Sequence, residues 1–168
     1  MESKLEHILT HTYKEGMIAF VEAHPEVFEE LIQLTVSDKQ PYSWRASWLL
    51  WSVMEENDPR VRESIPVIID VLPQLRDGQQ RELIKILYKL ELDEDYEGRI
   101  FNLCVNVWEK IHKQPSVRLN AFLLILKISK KHPDLQHEIL LLTQEQYTET
   151  LSKGVRHSIS KLIKDFTV

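Results

Sequence analysis

Four arginines, Arg45, Arg81, Arg118 and Arg156, stand 36, 37 and 38 residues apart. Three residues beyond each comes Trp48, Ile84, Ala121 or Ile159, and six beyond comes Trp51, Leu87, Leu124 or Leu162. A short polar break precedes each of these stretches. The first three are followed by a second turn: Asn57-Asp58-Pro59, the acidic Leu92–Glu97 segment, and His132-Pro133-Asp134. His24-Pro25-Glu26 is an earlier copy of that turn, with Lys14 roughly where the arginine stands elsewhere. A period near 36 residues holds one helix, a turn and a second helix. One such pair cannot bury both its faces, whereas stacked pairs share a continuous core.

Local patterning agrees with an all-α chain. Val27, Phe28, Leu31, Ile32 and Leu34 recur at spacings of three and four, and so do Leu83, Ile84, Ile86, Leu87 and Leu90. No stretch alternates apolar and polar residues long enough to make a half-buried strand. Asp58-Pro59 reads as an N-cap followed by proline at the first helical position. Ser3 with Glu6, and Asp77 with Gln80, have capping-box spacing. Ser43 and Ser116 are further candidate N-caps, and Pro66 and Pro73 predict a kinked or split helix. All four glycines (16, 78, 98 and 154) lie at or near expected helix starts. The run Val117, Leu119, Ala121–Leu126 and Ile128 is apolar on nearly every side, as befits a helix in the middle of a stack. The longest unbroken apolar run, Ala121 to Leu126, is far short of the roughly 20 residues of a membrane helix. The first fifteen residues lack an apolar signal region, and one cysteine, Cys104, suits a reducing compartment, so a cytoplasmic location is expected.

Residues with chemical potential are few. His7 and His11 share a helix face at i,i+4, but HILTH lacks the glutamate of H-E-x-x-H and no neighbouring ligand pattern completes a metal site. Cys104 sits in an apolar helical stretch, where a thiol packs as a small hydrophobe. The acidic run Glu91 to Glu97 lacks the ligand alternation and sixth-position glycine of an EF-hand loop; a solvated turn with Asp95 as N-cap is expected. Trp44, Trp48 and Trp51 line one face of a single helix. Burial against the next repeat is the expected arrangement, with an aromatic contact stripe as the alternative. The opposite face, Ala46, Leu50 and Val53, is apolar too, which leaves one of the two available to a groove. No catalytic constellation, cofactor or metal is expected.

Val117-Arg118-Leu119-Asn120-Ala121 matches in full the Val-Arg-x-x-Ala opening of the second helix in the HEAT family of α-solenoids, which the chain resembles. Val155-Arg156 matches the start of that pattern, while Arg45 and Arg81 keep the arginine alone. The chain is also similar to small bacterial HEAT-like proteins that share Ser43-Trp44-Arg45-Ala46-Ser47-Trp48, the Arg81 helix and the His132-Pro133-Asp134-Leu135 turn. Some of that group carry the label adenylosuccinate lyase, but the Gly-Ser-Ser-x-Met-Pro-x-Lys loop of that enzyme has no counterpart in this sequence. The resemblance implies a right-handed α-solenoid of about five antiparallel helix pairs, a single domain over residues 1–168.

Charge gives the functional expectation. The net charge of −5 conceals a division between helix sets. Residues 43–57, 78–92, 116–132 and 153–166, which hold the arginines, sum to +7; the alternating partners 25–36, 59–76, 95–113 and 133–151 sum to −6. Helix dipoles act on both sets alike and do not predict such a division. In HEAT-like solenoids the arginine-led helix lines the concave face, so the resemblance implies a basic groove and an acidic back. The expected function is a non-enzymatic binding scaffold whose groove holds an acidic or phosphorylated protein segment. Its expected contacts are Arg45, Arg81, Lys85, Lys89, Arg118, Lys127, Arg156, Lys161 and Lys164. The alternative is nucleic-acid binding or DNA-base repair resembling that of HEAT-like alkylpurine DNA glycosylases.

Overall fold

A helix that ends inside a protein leaves its last four carbonyls without backbone partners, and glycine in the left-handed conformation is the usual remedy. This chain does not use it. None of its four glycines has a positive φ, and among the described residues only Asn57 does (φ 50°). The helices must therefore be closed by donors from elsewhere in the chain, and that requirement shapes the packing.

The computed structural model describes residues 1–166. Among them there is no strand, and the chain forms twelve α-helices: α1 (Lys4–His11), α2 (Lys14–Ala23), α3 (Phe28–Thr35), α4 (Tyr42–Val53), α5 (Pro59–Arg62), α6 (Ile65–Val71), α7 (Asp77–Lys89), α8 (Glu94–Glu109), α9 (Pro115–Ser129), α10 (Gln136–Leu142), α11 (Glu145–Thr148) and α12 (Lys153–Ile163). The count exceeds the expected ten because two partner helices are broken. Pro66 lacks an N–H and sits in the first turn of α6, so the segment divides into α5 and α6, and Pro73 ends α6 in a 3-10 turn, Leu72–Gln74. The two histidine-proline turns are copies of each other: Pro25–Val27 and Pro133–Leu135 both form 3-10 turns, preceded by His24 (φ −130°, ψ 68°) and His132 (φ −130°, ψ 81°).

The chain divides into two compact units at Asp93 and Glu94. In the first, α4 is central: α1, α2, α3 and α7 all pack on it. Its Ala46, Leu49 and Leu50 are fully buried, as are Leu83, Ile84, Ile86 and Leu87 of α7. In the second, α8 packs along α9. Val117, Ala121, Phe122, Leu124 and Ile125 of α9 are fully buried, so the all-round apolar pattern does mark an enclosed helix. Each such side chain contributes roughly 1.5–3 kcal/mol by leaving water.

The caps test the local reading. Ser3 and Glu6 form the expected capping box, and Asp58 accepts from the Arg60 N–H with Pro59 at the first helical position. The other three candidates are displaced. Asp77 lies inside α7, whose N-cap is Arg76; α4 starts from Pro41 and α9 from Gln114. Ser43 instead turns back, and its hydroxyl accepts from the Lys39 N–H at 2.8 Å, closing the preceding loop. Asp95 likewise falls inside α8 rather than at its N-cap.

Several helix C-termini are closed by side chains of other helices. Arg45 donates to the Leu9 carbonyl at the end of α1 (2.8 Å), and Gln79 donates to Thr35 at the end of α3 (2.9 Å). Lys89 donates to Trp51 at the end of α4 (2.8 Å). In the second unit Trp108 Nε1 donates to Leu142 at the end of α10 (2.8 Å).

Candidate functional site

Arg118 shows what the repeated arginine does when it is enclosed. Only 1% of it is exposed. Its Nε donates to the Trp108 carbonyl in the last turn of α8 (2.8 Å), Nη2 donates to Tyr147 in α11, and Nη1 donates to Thr150 Oγ1 (3.3 Å). The guanidinium also faces the Trp108 ring, 4.8 Å from its centroid. A cation at helix C-termini meets the negative ends of their dipoles and supplies the missing donors. Arg118 was expected to contact a partner; its burial makes it an interior clamp instead. Lys89 is half-buried: its ammonium reaches the Trp51 and Met54 carbonyls and lies 4.7 Å from the centroid of the Trp51 ring, against which Lys85 also lies.

Four basic residues of the first unit converge. A cavity of about 470 Å³ opens between α2, α4 and α7. Arg45 from α4 and Arg81 and Lys85 from α7 line it, as expected contacts. Lys14 from the first turn of α2 joins them. Lys14 stands roughly where the arginine stands in later repeats, the one signal in the sequence for a residue that is not among the expected contacts. The other walls are aromatic and apolar: Trp44 and Trp48 from α4, Tyr13, and Met17.

The helix geometry explains this lining. The inner face of α4 is filled by Ala46, Leu49 and Leu50, so the tryptophans one and two turns along the other side cannot also be enclosed. Trp44 is 43% exposed, and Trp48 and Trp51 are half-buried. The expected burial of the tryptophan face is thus met only in part, and fails at Trp44. Gly78, in the first turn of α7, allows Trp44 to lie close; a Cβ there would come 3.1 Å from its Nε1.

The charges are unevenly balanced. Glu82 is a buried carboxylate on the cavity wall. Its Oε1 accepts from Arg81 at 3.0 Å and its Oε2 from Lys85 at 2.9 Å. Lys85 also stands 3.6 Å over the Trp51 ring. Lys14 and Arg45 form no ion pair among the described residues; Lys14 lies 5.1 Å over the Trp48 ring, and Arg45 bonds only to a neutral carbonyl. Four cations thus face one carboxylate in a cavity with aromatic walls. Such a site attracts an anion and offers flat apolar surface beside it.

The second unit gathers acid instead. Two cavities there are lined by Glu94, Glu97, Asp134 and Glu138 in one case and by Glu109, Glu138 and Tyr147 in the other. Neither includes Lys127, Arg156, Lys161 or Lys164. Arg156 and Lys161 are exposed on α12 and make no side-chain bond among the described residues; Lys164 is exposed and Lys127 half-buried. The acidic turn is less solvated than expected, because Glu97 is buried, accepting from Lys131 (2.6 Å) and lying 2.7 Å from His132 Nε2. Burial opposes its charge, yet these two partners outweigh burial and hold its carboxyl below the ordinary value.

Two other groups invite comparison with catalytic or metal chemistry. Glu2, His7 and His11 bring three exposed ligand atoms within 4.8 Å of one another, a neighbour for the histidines that spacing alone did not disclose. The two rings stack face to face at 4.1 Å, and His11 Nδ1 lies 3.1 Å from the His7 carbonyl. Stacked rings do not aim two nitrogens at one ion without turning. Cys104 is buried as expected, and desolvation pushes its thiol up to about 12, far from the thiolate a nucleophile needs.

No helix among the described residues is long and apolar enough to cross a membrane. No curated protein and no solved structure matches the chain. Proteins built of HEAT repeats generally serve as protein-interaction scaffolds and are typically non-enzymatic. The model of the HEAT repeat domain matches residues 1–166, and the chain belongs to that family.

Proposed function

We propose that this protein is a small non-enzymatic scaffold of the cytoplasm, and that the cavity between α2, α4 and α7 holds an acidic or phosphorylated segment of a partner protein. The observation that carries this reading is the pair Lys14 and Arg45, two cations without a carboxylate partner on one cavity wall system with Arg81 and Lys85. An anionic segment supplies the missing counter-charge, and the field of the four cations steers it in. Arg156, Lys161 and Lys164 extend the basic character of the chain in its second unit, separately from this cavity.

A nucleic acid is the competing ligand. Its affinity rests on many phosphate contacts along an extended basic surface. Arg118 and Lys89, both counted toward such a surface, are committed to helix carbonyls. Lys14, Arg45, Arg81 and Lys85 surround one cavity, which suits a short anionic segment better than a duplex.

Fluorescence anisotropy with a fluorescein-labelled peptide of alternating Asp and Glu tests the reading. The peptide should bind the full chain at low ionic strength. Lys14→Glu, at an exposed side chain without hydrogen bonds, should weaken binding by about tenfold, as expected for reversing one charge near an anion. No binding at low ionic strength, or binding indifferent to Lys14→Glu, would overturn the proposal.

A further inference from the structure

We infer that the segment held in this cavity carries an aromatic side chain flanked by its acidic groups, so that the site reads ring and charge together; this rests on the reading above that the cavity takes an acidic segment. The argument starts from α4. Residues on its inner face are completely enclosed, while Trp44 on the same helix leaves 43% of its surface in water and Tyr13 across the cavity leaves 89%. Large aromatic surface left exposed and gathered in one concavity marks a contact site rather than incidental exposure.

The cations share the cavity with those rings and lie against their neighbours on α4, Trp48 in the cavity wall and Trp51 one turn beyond it. Lys14 lies 5.1 Å over Trp48, and Lys85 lies 3.6 Å over Trp51. A purely carboxylate segment would satisfy the charges and leave the tryptophan wall wet. A purely aromatic ligand would cover the wall and leave Lys14 and Arg45 unbalanced. A ring stacked on Trp44, with carboxylates or a phosphate on either side of it, satisfies both. The space is adequate: about 470 Å³ lies within the range of pockets that take a drug-sized ligand, enough for one aromatic side chain and its immediate neighbours. Trp44 is ready to receive it, because its own ring is set against the backbone at Gly78.

The test compares four labelled probes on the full chain: Glu-Asp-Trp-Asp-Glu, Glu-Asp-Ala-Asp-Glu, Lys-Gly-Trp-Gly-Lys, and a ten-nucleotide single-stranded DNA. The acidic tryptophan peptide should bind about tenfold more tightly than the acidic alanine peptide, the gain expected of one stacked and buried ring. The basic tryptophan peptide should not bind. Trp44→Ala should abolish the difference between the two acidic peptides, and Lys14→Glu should weaken both. Circular dichroism of each variant checks that the helices persist. Equal binding of the two acidic peptides overturns this inference and leaves the acidic-segment reading standing. Failure of both acidic peptides to bind, or tighter binding of the DNA than of either, overturns that reading as well.

Discussion

Arg118→Met removes the clamp in the second unit while keeping much of the aliphatic bulk. The guanidinium makes two hydrogen bonds to carbonyls at helix ends, Trp108 in α8 and Tyr147 in α11, and one to the Thr150 hydroxyl. A hydrogen bond to a charged group contributes about 1.5–3 kcal/mol, and a buried carbonyl left without a donor costs a comparable amount. Against this stands the desolvation of the charge itself, whose effect is visible in the lowered pKa of Arg118. Breaking a buried charge network from one side commonly costs 3–5 kcal/mol, and here the charge itself leaves, so the net loss should be about 2–4 kcal/mol. That is a large part of the 5–15 kcal/mol typical of a folded domain. Arg118→Lys should fall between the two, because an ammonium keeps the charge but cannot address three acceptors in a fixed plane. Urea unfolding followed by circular dichroism at 222 nm measures the difference. An Arg118→Met midpoint that corresponds to less than about 0.5 kcal/mol of loss, the range of an ordinary surface substitution, would refute the clamp.

Two further outcomes follow from buried titratable groups. Glu97 is held below its ordinary pKa of 4.5 by Lys131 and His132 in spite of burial, so its contribution to stability is present above about pH 4.5 and is lost as pH falls through the folded value. The urea midpoint should therefore drop more steeply between pH 4.5 and pH 3 in the natural chain than in Glu97→Gln, and parallel curves would count against the assignment. Cys104, with its thiol pushed up to about 12 by burial, should react with a disulfide reagent at pH 8 only as fast as the second unit opens, and faster with added urea; immediate labelling in native buffer would place the thiol at the surface.

The helices and their pairing were legible because they depend on periodicity and on short polar breaks, both local. The enclosed position of α9 was legible for the same reason, its apolar residues leaving no wet face. The capping serines were misread because α4 is capped at Pro41 and α9 at Gln114, two residues before each serine, which puts Ser43 and Ser116 inside the first helical turn. The site was legible in part. Arg45, Arg81 and Lys85 were named from the repeat, but Tyr13 and Met17 belong to α2 and its N-cap, whose copy of the repeat has lost the arginine. Burial of Arg118 was not legible, since the full match to Val-Arg-x-x-Ala marks the position without saying which carbonyl faces it.

The charge division between helix sets acquires a physical cause from the same contacts. Without left-handed glycines, the C-termini of α1, α3, α4 and α8 take donors from side chains, and arginine, lysine and glutamine are long enough to reach them from helices later in the chain, while α10 is closed by Trp108 of α8. Helix dipoles therefore do enter unequally: the arginine-led helices supply cations to carbonyl ends that precede them, and part of their +7 is already matched by those dipoles. Arg45 stands between the two roles. One of its amino groups closes α1 at Leu9, and the guanidinium still faces the cavity with donors to spare. A repeat that needs an arginine for its own closure can thus present the same group to a ligand wherever a concavity lies beside it. In the first unit Trp44 and Lys14 make that concavity; in the second, the equivalent Arg118 is sealed beneath α11, and the structural role is the only one left to it.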